Sequence, residues 1–300
     1  MTAESQRNHR MMPCLANRRR EALLHLAAVH DPALQPALQH ALTATQATPS
    51  FDWQGLWVAM DGDQIVAAAW VQPLANHTAQ LWLPKRNNPV ARQLLCALQA
   101  WVSEQPIVLC HVALPAPWAA WEETLVKSGM RTLATLEHLV WPCQAVHTPQ
   151  TLTLRPLGEL ALAEQQALLE RVGEDSLDCP ALRDVLPVEA LLAGFYAQAV
   201  SAQAPNPTHW YRLKYQGDTI GVLLLATTAQ RWSLQLMGLV PEWRGQRLGG
   251  VIIQHAQALA AQAGAQCLAL TVDAQNTPAQ RVYSQAGLVR EGREQLLAWC

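Results

Sequence analysis

A chain that repeats itself can fold in few ways, because each copy must close a core of the same pattern. The segment Met60 to Pro84, MDGDQIVAAAWVQPLANHTAQLWLP, reads like Tyr215 to Pro241, YQGDTIGVLLLATTAQRWSLQLMGLVP. Each has a Gly-Asp turn, an apolar β-rich run, a polar turn, a second apolar run and a proline. Behind each stands an apolar helix pattern (PVARQLLCALQAWVSEQ; LGGVIIQHAQALAAQAG), a short buried strand (IVLCHVAL; CLALTVDA) and a second short helix ending at KSGM or SQAGL. A last strand closes on Trp141-Pro142-Cys143 in one half and on Trp299-Cys300 in the other. The spacing from Gly62 to Gly217 is nearly that from Gly129 to Gly287, so the halves stay in register.

Hairpins that lead into a β-α-β ending predict an α/β fold: two tandem units, each a mixed sheet with helices on both faces. The stretch QAVHTPQTLTLRPLGEL, with Pro149 and Pro156 around a short β-like run, places the boundary near Val146, giving domains 1–146 and 147–300. In the second half, strands are expected at Leu152 to Arg155, His209 to Tyr215, Thr219 to Thr227 and Trp232 to Leu239. A helical pattern runs from about Ala161 to Ala199, broken by GEDSLDCP.

With 300 residues, half of them hydrophobic, 15% charged and a formal net charge of −2, the chain has the profile of a soluble globular protein. That balance points away from nucleic acid and from anionic membranes. No apolar run approaches the roughly 20 residues of a membrane span. The basic N-terminal stretch lacks the apolar core of a secretory signal. Seven cysteines at irregular spacing, without a C-x-x-C pair, are expected to be free thiols in a reducing cytoplasm. Ten histidines fall in no zinc-binding grouping, so no metal site is expected.

The turn LVPEWRGQRLGG, Leu239 to Gly250, precedes a convincing helix: Leu248, Val251, Ile252, His255 and Leu259 share a face, and Gly264 marks its end. Unpaired amides and the helix dipole meet at its start. Arg244 and Arg247 add charge, and the missing side chains of Gly245, Gly249 and Gly250 let a diphosphate approach the backbone. A tight turn or close helix packing accounts for the same glycines. Neither G-K-[ST] nor G-x-G-x-x-G occurs, which disfavours a nucleotide triphosphatase.

Taken with its flanks, this stretch resembles the GNAT family of acyl-CoA-dependent N-acetyltransferases, in which a strand is followed by [RQ]-x-x-G-x-[GA] at the next helix start. Arg244 fills the first position and Gly249 the last, while Arg247 stands where the middle glycine usually is. A second stretch, TVDAQNTPAQRVYSQAGLVREG, matches the family's strand, asparagine, short helix bearing tyrosine, and glycine before the last strand. The resemblance covers roughly residues 150 to 300. The first half follows it in outline only: LPKRNNPVARQLL has no glycine, Pro89 occupies the helix start, and Leu125 and Trp118 stand where the tyrosine and asparagine would be. It reads as a degenerate copy that supports the second.

The resemblance implies acetyl-CoA as co-substrate and a small-molecule or peptide amine as acceptor. Backbone groups from Met237 to Val240 would hold the pantetheine arm, with the Leu239 N–H polarising the carbonyl. Arg244, Gly245, Gln246, Arg247, Leu248, Gly249 and Gly250 would take the diphosphate, Asn276 would bond the cofactor, and Tyr283 would protonate the departing sulfur. Asn276 before Thr277-Pro278 also reads as a plain helix cap. Cys179 and Cys267 lack a paired histidine in sequence, so direct attack by the amine is expected rather than an acyl-cysteine. Glu174, Asp175, Asp178, His209 and Glu242 are all candidates for the base, none preferred. A non-catalytic acyl-CoA-binding or assembly protein is the alternative reading, and an acid aimed at the sulfur argues for the enzyme.

Overall fold

The computed structural model describes residues 9–47, 53–74, 76–199, 207–228 and 230–300; the first eight, part of the basic N-terminal stretch, lie outside them. The chain forms two compact units, Met1–Thr132 with Leu296–Cys300, and Leu133–Gln295.

The first unit holds, in chain order, β1 (Arg10–Pro13), α1 (Arg19–Leu23), α2 (Gln35–Ala47), β2 (Leu56–Asp61), β3 (Gln64–Pro73), β4 (Thr78–Trp82), α3 (Pro89–Val102), β5 (Leu109–Pro115) and α4 (Glu122–Lys127). Strands β1 to β4 pair antiparallel in sequence order and β5 adds in parallel to β4. Helix α3 begins at Pro89, with Asn88 Oδ1 accepting the Ala91 N–H at 2.9 Å, and sinks Leu94, Leu95 and Leu98 into the core. Leu297 and Trp299 join that core, and Trp299 Nε1 donates to the Ser128 carbonyl at 3.0 Å.

The second unit takes β6 (Arg131–Pro142) from Leu133 onward, then β7 (Thr153–Pro156), α5 (Leu162–Gly173), α6 (Pro180–Arg183), α7 (Val188–Ala199), β8 (Trp210–Tyr215), β9 (Asp218–Thr227), β10 (Arg231–Leu239), α8 (Leu248–Gln262), β11 (Cys267–Asp273), α9 (Thr277–Gln285) and β12 (Val289–Trp299) up to Gln295. Its strand order is β12-β6-β11-β10-β9-β8-β7, so the sheet is mixed and helices lie on both faces, an α/β fold. The compact units do not divide the chain where its composition does. The linker-like stretch near Val146 follows β6, yet β6 pairs with β11 from Cys267↔Pro142 to Asp273↔Leu136. Long-range strand pairing of this kind leaves no mark on local composition.

Periodicity accounts for the packing. Along β11, Leu268, Leu270 and Val272 face the core beneath α8 and α9, together with Leu234 of β10. Val222 and Leu224 of β9 face the other way, into a core with Leu169 and Val172 of α5 and Leu192 of α7. Helix α8 buries Leu248, Ile252, His255 and Ala256 on one face and closes with the Ala265 N–H on the Ala260 carbonyl (3.1 Å) around Gly264 at φ +73°. Two glycines set a close approach: a Cβ on Gly221 of β9 would lie 2.1 Å from the Gly238 carbonyl oxygen, and one on Gly238 would lie 2.3 Å from Val172 Cγ1. Thus α5 presses directly on the backbone of β10.

Candidate active site

Strands β10 and β11 part company. They pair in parallel only from Arg231↔Cys267 to Leu234↔Leu270, although β10 runs on to Leu239 and β11 to Asp273. A bulge between Leu234 and Leu236 turns β10 while it keeps its ladder with β9 as far as Leu239↔Gly221. The Val240 N–H donates to the Ile220 carbonyl at 2.9 Å, so alternation along the strand turns the Leu239 N–H to the opposite side, into the gap. Gln235, at the bulge, is held by Trp210 Nε1 (3.1 Å) and donates to the Phe195 carbonyl (2.9 Å), fixing the end of α7 beside it.

A cleft of about 640 Å³ fills this gap and reaches the start of α8. The turn before the helix has Gly245 at φ +76° and Arg247 at φ +62°, and no side chain caps the first amides of α8. Those amides are available to an anion. Arg247 thus occupies a left-handed backbone position that glycine would hold without strain.

Of the residues expected at the site, Met237, Leu239, Arg244, Gly245, Arg247, Leu248, Gly249, Asn276 and Tyr283 line the cleft. Val240 instead packs with Leu157 and Val222, Gln246 reaches back to the Glu242 carbonyl (3.1 Å), and the missing Cβ of Gly250 meets open space. Gly249 has a second duty, because a Cβ there would touch Val282 at 3.4 Å, where α9 packs on α8. Arg244 is a tie: Nε donates to the Leu239 carbonyl (3.0 Å) and Nη2 to the Val172 carbonyl at the end of α5 (3.1 Å). Arg247 and Arg281 also face the cleft, and among the described residues neither has an ion-pair partner or a side-chain hydrogen bond.

Tyr283 sits on the last turn of α9, which ends with the Leu288 N–H on the Tyr283 carbonyl (3.0 Å) and Gly287 at φ +82°. The ring is buried, and burial, with the charge of Asp178 adding, pushes the phenol far above its usual range. Such a phenol keeps its proton near neutral pH. Asn276 caps α9 through Oδ1 to the Ala279 N–H (3.3 Å), and its amide pulls the Asp178 pKa down.

The acidic candidates separate. Asp178 lies in the cleft wall with Oδ1 accepting the Asp273 N–H (3.1 Å), and Asp175 lines the wall beside it. Glu242 is exposed and paired with Arg171, Glu174 is exposed at the end of α5, and His209 is packed on Trp232 and bonded to Tyr211 outside the cleft. Burial first, then the charges of Asp178 and Asp273, push the Cys179 thiol up to about 12, which leaves no thiolate near neutrality. Sequence reasoning missed Thr271, which lines the cleft from β11, and Arg281 of α9. Their places depend on where β10 and β11 separate, which no local pattern records.

The equivalent gap in the first unit is filled. Strands β4 and β5 pair only as far as Gln80↔His111, but the chain at Leu26 bridges to Pro84 there, with the Ala27 N–H on the Leu83 carbonyl (2.9 Å) and the Lys85 N–H on the His25 carbonyl (2.7 Å). About 50 Å³ of cavity is left. Leu125, at the tyrosine's place, is wholly buried, and Trp118 Nε1 donates to Asp31.

Among the described residues no group of three or more His, Cys, Asp or Glu is placed to hold a metal, and no helix is long and apolar enough to cross a membrane. Residues 175–288 match the model of the Acetyltransferase (GNAT) family, and the fold of nearly the whole chain is similar to that of solved GNAT proteins, a tandem one among them. It is similar to a GCN5-related N-acetyltransferase from Sphaerobacter thermophilus at 16% identity, with a TM-score of 0.63 over 97% of this chain and 95% of that one. It is also similar to a tandem GNAT protein from the clavulanic acid biosynthesis pathway at 13% identity, with a TM-score of 0.56 over 97% and 98% of the two chains. No curated protein matches the chain by sequence.

Proposed function

We propose that the chain is an acetyl-CoA-dependent N-acetyltransferase whose second unit carries a primary amine through direct attack on the thioester. The observation that carries this reading is the parting of β10 from β11 beyond Leu234↔Leu270, opposite the buried phenol of Tyr283. The residues present suit a CoA thioester. The gap leaves strand amides without partners, α8 opens with uncapped amides beside Arg247, and the cleft of about 640 Å³ is large enough for an extended arm.

Bound there, acetyl-CoA supplies an activated acyl group. The Leu239 N–H polarises the carbonyl where negative charge develops. The opening turn of α8 and Arg247 hold the diphosphate, and Asn276 fixes α9 so that Tyr283 faces the sulfur. Tyr283 then gives the departing sulfur a proton. The first unit, its own gap filled, takes no co-substrate.

The competing reading, a protein that binds acyl-CoA without turnover, has no use for a proton donor at the sulfur. Calorimetric titration with acetyl-CoA, followed by assay of free thiol with a panel of primary amines, separates the two. Binding with amine-dependent thiol release supports the enzyme; binding without thiol supports the alternative; no binding removes both.

A further inference from the structure

Three neighbouring strands of the second unit carry a hydroxyl, an imidazole and a carboxylate in line. Thr271 of β11 and His138 of β6 are register partners, with Thr271 Oγ1 3.1 Å from His138 Nδ1. On the other ring nitrogen, His138 Nε2 lies 3.0 Å from Glu294 Oε1 of β12. Because Leu270 faces the core beneath α8, alternation puts Thr271 on the opposite face of the sheet, and there it forms part of the cleft wall where β10 and β11 separate. A cross-strand Thr–His pair on a solvated face needs no special explanation. Two further features do: a carboxylate bonded to the far nitrogen, and a hydroxyl set in the wall of the site.

Glu294 fixes the neutral tautomer. With the ring proton held on Nε2 toward the carboxylate, Nδ1 is left as an acceptor aimed at the Thr271 hydroxyl. None of the other candidates for the base has this arrangement. Asp178 already accepts from the Asp273 N–H and feels the charge of Arg183; Glu242 is paired with Arg171; His209 is outside the cleft.

We propose that Thr271, His138 and Glu294 form the relay that takes the proton of the attacking amine, an assignment that rests on the acetyl-transfer reading above. The amine enters neutral, from the face of the sheet opposite α8. As its nitrogen forms the C–N bond, its proton passes to Thr271 Oγ1 while the Thr271 hydroxyl proton passes to His138 Nδ1, leaving an imidazolium against Glu294. The C–S bond breaks with its electron pair on sulfur, which takes the proton of Tyr283. Exchange with water returns the imidazolium and the phenolate to their starting states. Thr271 is the catalytic residue of the three, while His138 and Glu294 act through it.

The hydrogen bond to Glu294 raises the His138 pKa; burial opposes this, the charges of Glu294 and Glu291 on β12 add to it, and Arg231 of β10 opposes it. The relay is therefore charged and idle at low pH and accepts a proton once His138 is neutral. The test follows His138 by NMR in the free chain across pH. It pairs this with thiol release from acetyl-CoA using benzylamine, putrescine and glycinamide as acceptors. Wild type, Glu294→Gln, Thr271→Val and Thr271→Ser are compared, with acetyl-CoA affinity and melting temperature measured for each.

In Glu294→Gln, the His138 titration and the acid limb of kcat/KM are expected to move together to lower pH. Thr271→Val is expected to lose about 10²-fold or more in kcat with acetyl-CoA affinity unchanged, and Thr271→Ser to stay within severalfold of wild type. Full activity in Thr271→Val, an acid limb that does not follow His138, or a stable acetyl group on Thr271 would each overturn the relay while leaving acetyl transfer standing. A wild type that binds acetyl-CoA but releases no thiol with any of the three amines overturns the relay together with the transfer reading.

Discussion

Asp178 Oδ1 accepts the Asp273 N–H at 3.1 Å, and Asp273 Oδ2 in return accepts the N–H of the next residue, Cys179, at 3.3 Å. The loop after α5 is thereby clasped to the end of β11, with Asp273 wholly buried and its Oδ1 also accepting the Gln275 N–H at 2.9 Å. Cleft wall and helix α9 are fixed to each other through two carboxylates.

This clasp has a pH signature. Burial is the largest influence on Asp178 and raises its pKa above the ordinary 3.8; the Asp273 amide, Arg183 and Asn276 pull it down, and the Asp273 charge pushes it up. A raised carboxyl binds its proton more tightly in the folded chain, so the stability it contributes is complete below the unfolded pKa and is lost as pH rises through the folded value. Urea denaturation of wild type and Asp178→Asn from pH 4 to 7 should show wild type losing ground to the variant as pH rises. A difference that stays flat across the range would contradict this.

Gly221→Ala should be among the most damaging small changes in the second unit. Its Cβ would fall 2.1 Å from a backbone oxygen of β10, which cannot swing aside. A loss of about 2–3 kcal/mol in chemical denaturation is expected. Gly250→Ala, whose Cβ meets open space, serves as the control and should be neutral or slightly stabilising. Equal effects of the two would contradict the packing described for β9 and β10.

Arg247→Gly should separate stability from affinity. Relief of a left-handed arginine at φ +62° favours the folded state by up to about 1 kcal/mol, while loss of the charge at the mouth of α8 weakens acetyl-CoA binding roughly fivefold at low salt and less at high salt. Thermal melts and titrations at two salt concentrations read both. An affinity that does not change would take the diphosphate away from this turn.

Tyr283→Phe removes one buried oxygen and little else. Acetyl-CoA affinity should hold within about threefold while kcat for amine acetylation falls by about 10²-fold or more. Because the wild-type phenol keeps its proton well above neutral pH, its ionisation should set no limb of the rate profile below pH 9. A variant with wild-type turnover would leave the sulfur to be protonated by solvent.

Much of this is legible in the sequence. The Gly-Asp turns, the strands from His209 to Leu239, the break at GEDSLDCP, the closing of α8 at Gly264 and the place of Tyr283 four residues before Gly287 all follow from local chemistry, and the structure has them. What escaped is what depends on strand pairing. His138 and Thr271 are 133 residues apart and meet only because β6 lies beside β11. Arg244 reads as a free charge in the sequence, but its guanidinium spans two backbone carbonyls that only the packing of α5 on β10 brings together. The first fifty-odd residues carry β1, α1 and α2, whose short and weakly periodic elements give little to read.

Amide hydrogen exchange with and without acetyl-CoA tests most directly whether a CoA thioester lies between β10 and β11 with its phosphates at the start of α8. Slower exchange at residues 237–239 and 245–250 and around Tyr283, with the first unit unchanged, is the predicted result. No slowing at those amides, or slowing confined to the first unit, would contradict it.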